Sequence, residues 1–489
     1  MNLKSLAIVL ALALPASAQQ FGVGGEVVSG GVTQQWFGYG KPSGTSGPGV
    51  YMTPPRDCVG WWDFGAGDSL VWGGKDAAGT NDFADNDAAT PVTEGSYPIV
   101  IYGWGMCDNP ATSSQCLLQF GNSTGSESFS VAVSVTGYLR AMSTDGGVAA
   151  EADTAAGAIA AGARFRYIVV FESTTSRSIY VNTDTTGATN TTSNAPSGID
   201  RVRFFGWRDG STDWAGNAGP THVFANATVP SSDQRTAFLT NCQDPEVIMG
   251  TRATALWMVG DTTSLTDQRG SVNLVVDGDS VADTTHVWAL RDQSGQGKTL
   301  RANSGNTIRT TTNGHTSGDF DGTASFLVDF CPSVISDTPF QFYVVANSDV
   351  TTGGADTAFG VVRSSDTTNY CVLQWPGITN SRQRTGQGAA GQSDATSDYT
   401  ADVDYLVWSY FGAGSGTSGI ERNGGAAASD ASSTDVSSLN VMAMGSYRGS
   451  TPGQFYNGQI GLVVILDTSS TAGQPSIERF TSAAYALGF

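Results

Sequence analysis

Basic residues are scarce in this chain. Against 24 Lys and Arg stand 44 Asp and Glu, so 489 residues carry a net charge of −20, and only 14% of them are charged. Nucleic-acid binding rests on Lys and Arg neutralising phosphates, and this balance argues against it. Polyanionic glycans are disfavoured for the same reason, unless arginines cluster locally. Glutamate is also rare: the chain has eight, at 26, 94, 127, 151, 172, 246, 421 and 478, against thirty-six Asp. Glu suits helix interiors, whereas the short Asp carboxylate bonds nearby backbone N–H groups in turns. Three histidines lie far apart and no C-x-x-C occurs, so a metal site is a weak rival reading of the six cysteines. Beyond the N-terminus no stretch approaches the ~18 uninterrupted apolar residues of a membrane-spanning helix.

What is plentiful is glycine, at 62 residues, together with Ser, Thr and Asp, and an aromatic set of 11 Trp, 15 Tyr and 22 Phe. Turn formers at short intervals between apolar strands mark β-sandwiches and barrels. The aromatics exclude a disordered chain. Lys4, the apolar run from Ser5 to Leu14 and Ala16-Ser17-Ala18 form a signal peptide over 1–18, with Gln19 as the new first residue. A buried N-terminal helix is the alternative. The mature chain therefore has no membrane span and is expected to be secreted or on the cell surface. In that compartment six cysteines pair as disulfides. Cys107 and Cys116 flank the turn-rich DNPATSSQ, Cys58 and Cys242 bracket the first unit, and Cys331 and Cys371 share the second. The expected bridges are 107–116, 58–242 and 331–371, although six cysteines allow fifteen pairings.

Two stretches repeat one another. Residues 167–239 and 405–484 each run strand, turn, strand, turn, strand, then a Ser-rich turn and a short amphipathic helix. The match tightens at Trp207-Arg208-Asp209-Gly210-Ser211-Thr212 against Tyr447-Arg448-Gly449-Ser450-Thr451. The expected architecture is all-β: two tandem antiparallel β-sandwiches, each ending in a short helix. A Gly-rich segment over 19–55 precedes a first sandwich at 56–247 and a second at 248–489. Pro230-Ser231-Ser232-Asp233 caps the first helix through Leu239, and the second follows Pro475 to about Tyr485.

The second unit resembles concanavalin-A-like, laminin-G-type jelly rolls in three stretches. Val287–Gly297 (VWALRDQSGQG) is similar to the family's V-x-x-W-x-D-x-S-G-x-G opening. Gly318-Asp319-Phe320-Asp321-Gly322 resembles its F-D-G turn, and Phe455–Gly461 (FYNGQIG) its closing F-x-G-x-I strand. The resemblance implies jelly rolls, with Gly295, Gly297, Gly322 and Gly458 serving turns or close backbone approaches. The first unit shares mainly the closing half and lacks the D-x-S-G-x-G turn.

Catalytic patterns are weak. Jelly-roll glucanases resembling this fold carry E-x-D-x-x-E on one strand, and no such string occurs. Asp402 and Asp404 have the i,i+2 spacing but read as turn acids before Tyr405. Gly67-Asp68-Ser69-Leu70 with Asp283 and His286, and Gly121-Asn122-Ser123-Thr124-Gly125, match hydrolase strings. Neither sits on the strand-to-helix turn such nucleophiles need. Structural calcium is the expected cofactor, at Asp277, Asp279 and Asp283, since loop carboxylates in an exported protein suit a hard cation. A second acid cluster is Asp82, Asp85 and Asp87. Solvated turn acids are the alternative. For ligand binding, sugar C–H faces stack on aromatics while hydroxyls take planar donors and acceptors. That mixture occurs at Trp207, Arg208, Asp209 and Trp214, at Trp375 with Arg382, and at Tyr447 with Arg448. The expected function is non-catalytic binding of glycans or a surface partner, as in an adhesin. Two other classes stay open, a virus-particle component (tail fibre or capsid decoration) and a polysaccharide hydrolase or lyase. A homo-oligomer is compatible with either.

Overall fold

A computed structural model of the chain describes residues 27–29, 32–34, 58–64, 70–72, 75–78, 83–110, 114–207, 214–240, 243–257, 264–277, 281–282, 287–292, 294, 299–304, 308–312, 315–329, 339–349, 355–363, 368–376, 384–388, 391–395, 398–412, 418–430, 436–448, 452–467, 477 and 487. The chain divides into two compact units, 1–55 and 56–489. Within the first, Val27–Ser29 pairs with Val32–Gln34 as a short hairpin. The signal-peptide segment lies outside the described residues.

The second unit is all-β, as expected, and built from four large antiparallel sheets. Two of them enclose one core. In the first sheet the neighbours run Val148–Asp153, Leu139–Asp145, Ser128–Val133, Gln115–Gly121, Arg201–Phe204, Phe83–Asn86, Leu274–Asp277 and Ser264–Leu265. Its partner orders Asp184–Asn190, Ser176–Val181, Arg164–Ser173, Ile99–Cys107, Ala215–Ala218, Lys75–Ala78 and Val281–Ala282. Alternate residues such as Phe129, Val131 and Val133 meet Phe165, Tyr167 and Val169 between them, as the period of two in a strand requires. The other two sheets enclose a second core containing Trp62, Phe320, Phe342, Phe359, Trp375 and Val463.

Strand pairing does not follow the boundary near residue 247. Cys58–Asp63 adds to the last strand of the second sandwich, Asn457–Leu466, and Leu70–Trp72 pairs with Val287–Arg291 in its other sheet. Conversely, Ala255–Trp257, Leu274–Asp277 and Val281–Ala282 belong to the first sandwich. The first sandwich is thus inserted into the second, between two strands that are neighbours in its sheet. A two-stranded ribbon carries the chain out and back: Leu70 opposes Leu290, Trp72 opposes Val287, Lys75 opposes Ala282 and Asp76 opposes Val281. A short helix, Pro245–Met249, lies beside that boundary with Asp244 as its N-cap.

One pair of backbone bonds recurs in the two sandwiches. Phe205 N donates to Leu117 O and Trp214 N to Phe205 O; equivalently, Gly445 N donates to Ala358 O and Tyr456 N to Gly445 O. Both pivots lie in the left-handed region, Phe205 at φ 67 and Gly445 at φ 84. Glycine is needed at 445, where a Cβ would sit 2.2 Å from the Phe320 ring.

The motifs that carried the family resemblance are structural. Asp321 accepts from the backbone N–H of Thr323, Ala324 and Ser325, each at 2.9 Å, and these bonds hold its carboxyl down at about 2. A Cβ at Gly458 would lie 2.3 Å from Asn347 O. Asp292 accepts from Ser294 N at 2.8 Å and also from Trp61 N at 2.9 Å, so the D-x-S turn clasps the early strand to the second sandwich. Gly295 and Gly297 lie outside the described residues.

Helix Ser232–Leu239 begins as expected, with Ser231 and Gln234 forming a capping box, and buries Phe238 on Tyr102 and Trp104 of the sheet below. Of the expected tail helix only Ile477 is described; it is helical and fully buried. The 107–116 bridge is not formed. Cys107 ends a strand of one sheet and Cys116 lies in the facing sheet, so the two cysteines do not belong to one hairpin. The Cys107 thiol donates to Gln115 Oε1 at 3.6 Å and the Cys116 thiol to Val131 O at 3.8 Å. Cys242 and Cys331, with the pairings 58–242 and 331–371, lie outside the described residues. No described helix is long and apolar enough to cross a membrane.

Candidate ligand-binding cleft

Tyr447 is the sequence-expected ligand residue that, among the described residues, lines the cleft. It stands where the second sandwich turns outward after strand Val441–Met444. The inner faces of Ala355–Val362 and Tyr370–Pro376 supply Phe359, Val361, Cys371, Leu373 and Trp375 to the core. Their outer faces, by alternation, carry Val362, Tyr370, Val372 and Gln374. Val362 and Val372 join Phe326, Val328 and Val441 in a buried apolar pad, with Tyr370, Tyr447 and Phe455 packed against it. The hairpin Tyr447–Arg448 with Pro452–Gly453 folds back over this pad. Its root is fixed by Ser446, whose fully buried hydroxyl donates to Gly453 O at 3.1 Å.

Between hairpin and sheet lies a cleft of about 210 Å³, lined by Tyr370, Val372, Gln374, Tyr447 and Gln454. The two tyrosine rings meet edge to face at 5.7 Å. Across from them Gln374 Nε2 donates to Gln454 Oε1 at 2.7 Å, and Thr357 Oγ1 donates to the same oxygen at 3.2 Å. Burial raises the Tyr370 phenol above its ordinary pKa, so it stays a neutral donor and acceptor. Sequence reasoning missed Tyr370, Gln374 and Gln454. The available signal was the period-two run Tyr370, Val372, Gln374 on a strand that also carries core residues.

The other expected residues fall elsewhere. Trp214 and Trp375 are fully buried; Trp214 packs on Phe165 and Trp375 on Tyr456. Neither presents a face to a ligand: Trp375 is turned into its core by strand alternation, and Trp214, just before strand Ala215–Ala218, is buried in the other. Trp207, at the position equivalent to Tyr447, is half-buried, with Nε1 donating to Ser114 O at 3.4 Å. Its carbonyl accepts from Arg203, which also pairs with Asp85 at 2.9 Å. Arg208, Asp209 and Arg382 lie outside the described residues, and Arg448 is placed only as backbone in its strand.

Of the calcium candidates, Asp277 ends a strand opposite Phe83, and Asp279 and Asp283 lie outside the described residues. In the other acidic cluster Asp85 and Asp87 face Arg203 and Arg201. Among the described residues no group of three or more His, Cys, Asp or Glu is placed to hold a metal. Asp402, at φ 60, is a turn residue, and Asp404 accepts from Asn347 Nδ2 at 2.7 Å. The G-x-S-x-G string forms the hairpin turn after Gln115–Gly121, where Asn122 Oδ1 accepts from Thr124 N. Gly67, Asp68, Ser69 and His286 lie outside the described residues.

Behind the cleft Asp356 is half-buried, and desolvation pushes its carboxyl up to about 6. A raised acid stabilises the fold only at low pH and costs stability once pH rises through 6. Half of the group faces water, which screens that cost to about 1 kcal/mol. Asp356→Asn is expected to gain that amount at pH 7 and nothing at pH 4, measured by denaturant titration at both.

No family model matches the chain, and no curated protein matches it. The following solved structures are similar to it at low identity. Domains LG4-5 of the mouse laminin alpha1 chain align over 86% of this chain and 93% of that one, at 10% identity and TM-score 0.27. Domain 4 of a GH43 extracellular arabinanase from Geobacillus stearothermophilus, solved with arabinotriose, aligns over 40% and 97%, at 16% identity and TM-score 0.31. The CBM40 of Ruminococcus gnavus IT-sialidase, solved with α2,3 sialyllactose, aligns over 35% and 99%, at 14% identity and TM-score 0.27.

Proposed function

We propose that the protein is a non-catalytic, exported binding protein and that the cleft between Tyr370 and Tyr447 holds a sugar of a glycan. The cleft carries this reading by its chemistry. Two aromatic rings and an apolar floor suit the C–H face of a sugar, and two carboxamides suit its hydroxyls. The amides are locked to each other before any ligand arrives, so little ordering cost is left for binding. Trp207, at the same turn of the first sandwich, offers a second aromatic, and two sites on one chain gain avidity where both engage.

A glycan array probed with the full chain, its Tyr447→Ala and its Trp207→Ala variants tests this. Tyr447→Ala is expected to lose about tenfold or more in affinity (~1.4 kcal/mol), with thermal unfolding little changed. Trp207→Ala is expected to reduce binding only to multivalent displays. An array signal that Tyr447→Ala leaves intact would overturn the assignment. Release of reducing sugar, abolished by a single Asp→Asn change, would replace binding by hydrolysis.

A further inference from the structure

Resting on that reading of the cleft, we infer that its ligand is an uncharged sugar residue, and that Gln454 is the side chain that determines this specificity. The described lining residues, Tyr370, Val372, Gln374, Tyr447 and Gln454, carry no formal charge. A carboxylate or sulfate moved from water into such a site needs charge-assisted donors to replace its hydration. Among the described side chains no cation supplies them. Arg384 stands directly across from Gln374 on the next strand, but its guanidinium is held by both oxygens of Asp394, at 2.6 and 3.2 Å. The net charge of −20 adds repulsion toward any anion.

The hydrogen-bonding groups that remain are those of a hydroxyl reader. Gln374 spends Nε2 on Gln454 Oε1 and Thr357 Oγ1, which leaves its Oε1 as an acceptor. Gln454 Oε1 is likewise engaged by Thr357 and Gln374, which leaves Gln454 Nε2 as a donor. One donor and one acceptor held in fixed directions match vicinal hydroxyls, and each is left unpaired by a sugar lacking them.

Gln454 is also held at a cost. It is exposed and not glycine, yet its backbone sits at φ 51. Its carbonyl accepts from Thr357 N at 2.9 Å, which holds the residue in that conformation. An exposed, strained side chain whose amide is aimed at a cleft is better explained by use of the amide than by packing.

The experiment measures affinity and thermal unfolding together for the full chain, Gln454→Gly and Gln454→Glu, against neutral and acidic glycans. Gln454→Gly relieves the backbone and removes the amide. It is expected to unfold at the same or a higher temperature while losing about tenfold or more in affinity for a neutral glycan. Gln454→Glu is expected to lose as much, with no gain for acidic sugars. A full chain that prefers acidic glycans, with that binding lost in Tyr447→Ala, would refute neutrality and leave the cleft standing. Neutral binding unchanged in Gln454→Gly would refute the role of Gln454. Binding indifferent to Tyr447→Ala would remove the cleft itself, and this inference with it.

Discussion

Cut between residues 247 and 248, the chain is expected to yield two fragments that do not fold. The C-terminal piece lacks Cys58–Asp63 and Leu70–Trp72, the edge strands of its two sheets. It thereby loses Trp62 and Phe64, both buried in its core. Trp62 packs on Phe359 at 6.1 Å, and Phe64 N donates to Gly461 O at 2.9 Å. Removing one large buried aromatic costs ~3–5 kcal/mol. Two of them consume most of the ~5–15 kcal/mol by which a typical domain is stable. The N-terminal piece loses Trp257 and Leu274, both fully buried in the other core, and with Trp257 its ring contact to Phe204 at 5.4 Å. A different cut is expected to succeed. Joining Trp72 to Val287 through a two-residue Asn-Gly turn deletes the inserted sandwich and closes an antiparallel pair already in register. Circular dichroism and thermal melts decide the matter. Cooperative unfolding of 248–489 alone, or collapse of the Trp72–Val287 fusion, would contradict the insertion.

Acid is expected to destabilise the protein between pH 6.5 and 4, and His222 is expected to account for much of the effect. The ring is buried against Trp104, at 6.4 Å between centroids, and Nδ1 has no partner. Burial lowers its pKa from 6.5 to about 4, in a field set by Asp244, Arg301, Glu246 and Arg269. The unfolded chain takes up a proton at the higher pH. The stabilisation is therefore complete above 6.5, falls as pH drops and is lost below 4, a span worth about 3 kcal/mol. Asp244 works in the same direction at lower pH, its contribution being lost as pH falls below 3.8. Its carboxyl is held below the ordinary value although burial alone would raise it, chiefly by Arg301, whose Nη2 lies 2.5 Å away, and then by His222. Arg301 belongs to the second sandwich and Asp244 caps a helix beside the first, so protonation also loosens the tie between them. Asp356 opposes His222 between pH 3.8 and about 6, but it is half-exposed and weaker. The repeat supplies the control. Val464 faces Tyr343 where His222 faces Tyr102, so His222→Val installs the side chain the other sandwich already uses. Denaturant titrations at pH 7 and pH 4 should differ by about 3 kcal/mol less in His222→Val than in the parent chain. An unchanged difference would assign the acid sensitivity to other groups.

Much of the fold was legible because it is local. The period of two in the strands, the Ser231 cap, the Asp321 turn and the duplicated closing half each depend on residues near in sequence. Their physics survives translation from one chain to another. The site was legible only in part. Tyr447 was found because a repeat pointed to it. Trp214 and Trp375 looked the same in sequence, yet both rings are buried in the cores. Gln454 and Gln374 gave no signal, since an amide becomes informative only when a partner from a distant strand fixes its direction.

The sequence by itself determined the class of the protein, two closed β cores and turns rich in Asp and Gly, because alternation and turn chemistry act within a few residues. The tertiary structure alone decided which strands share a sheet. Edge strands carry their hydrogen-bonding groups at every residue and choose partners by packing, so nothing local told Trp62 that its neighbours lay some four hundred residues away, at Val463.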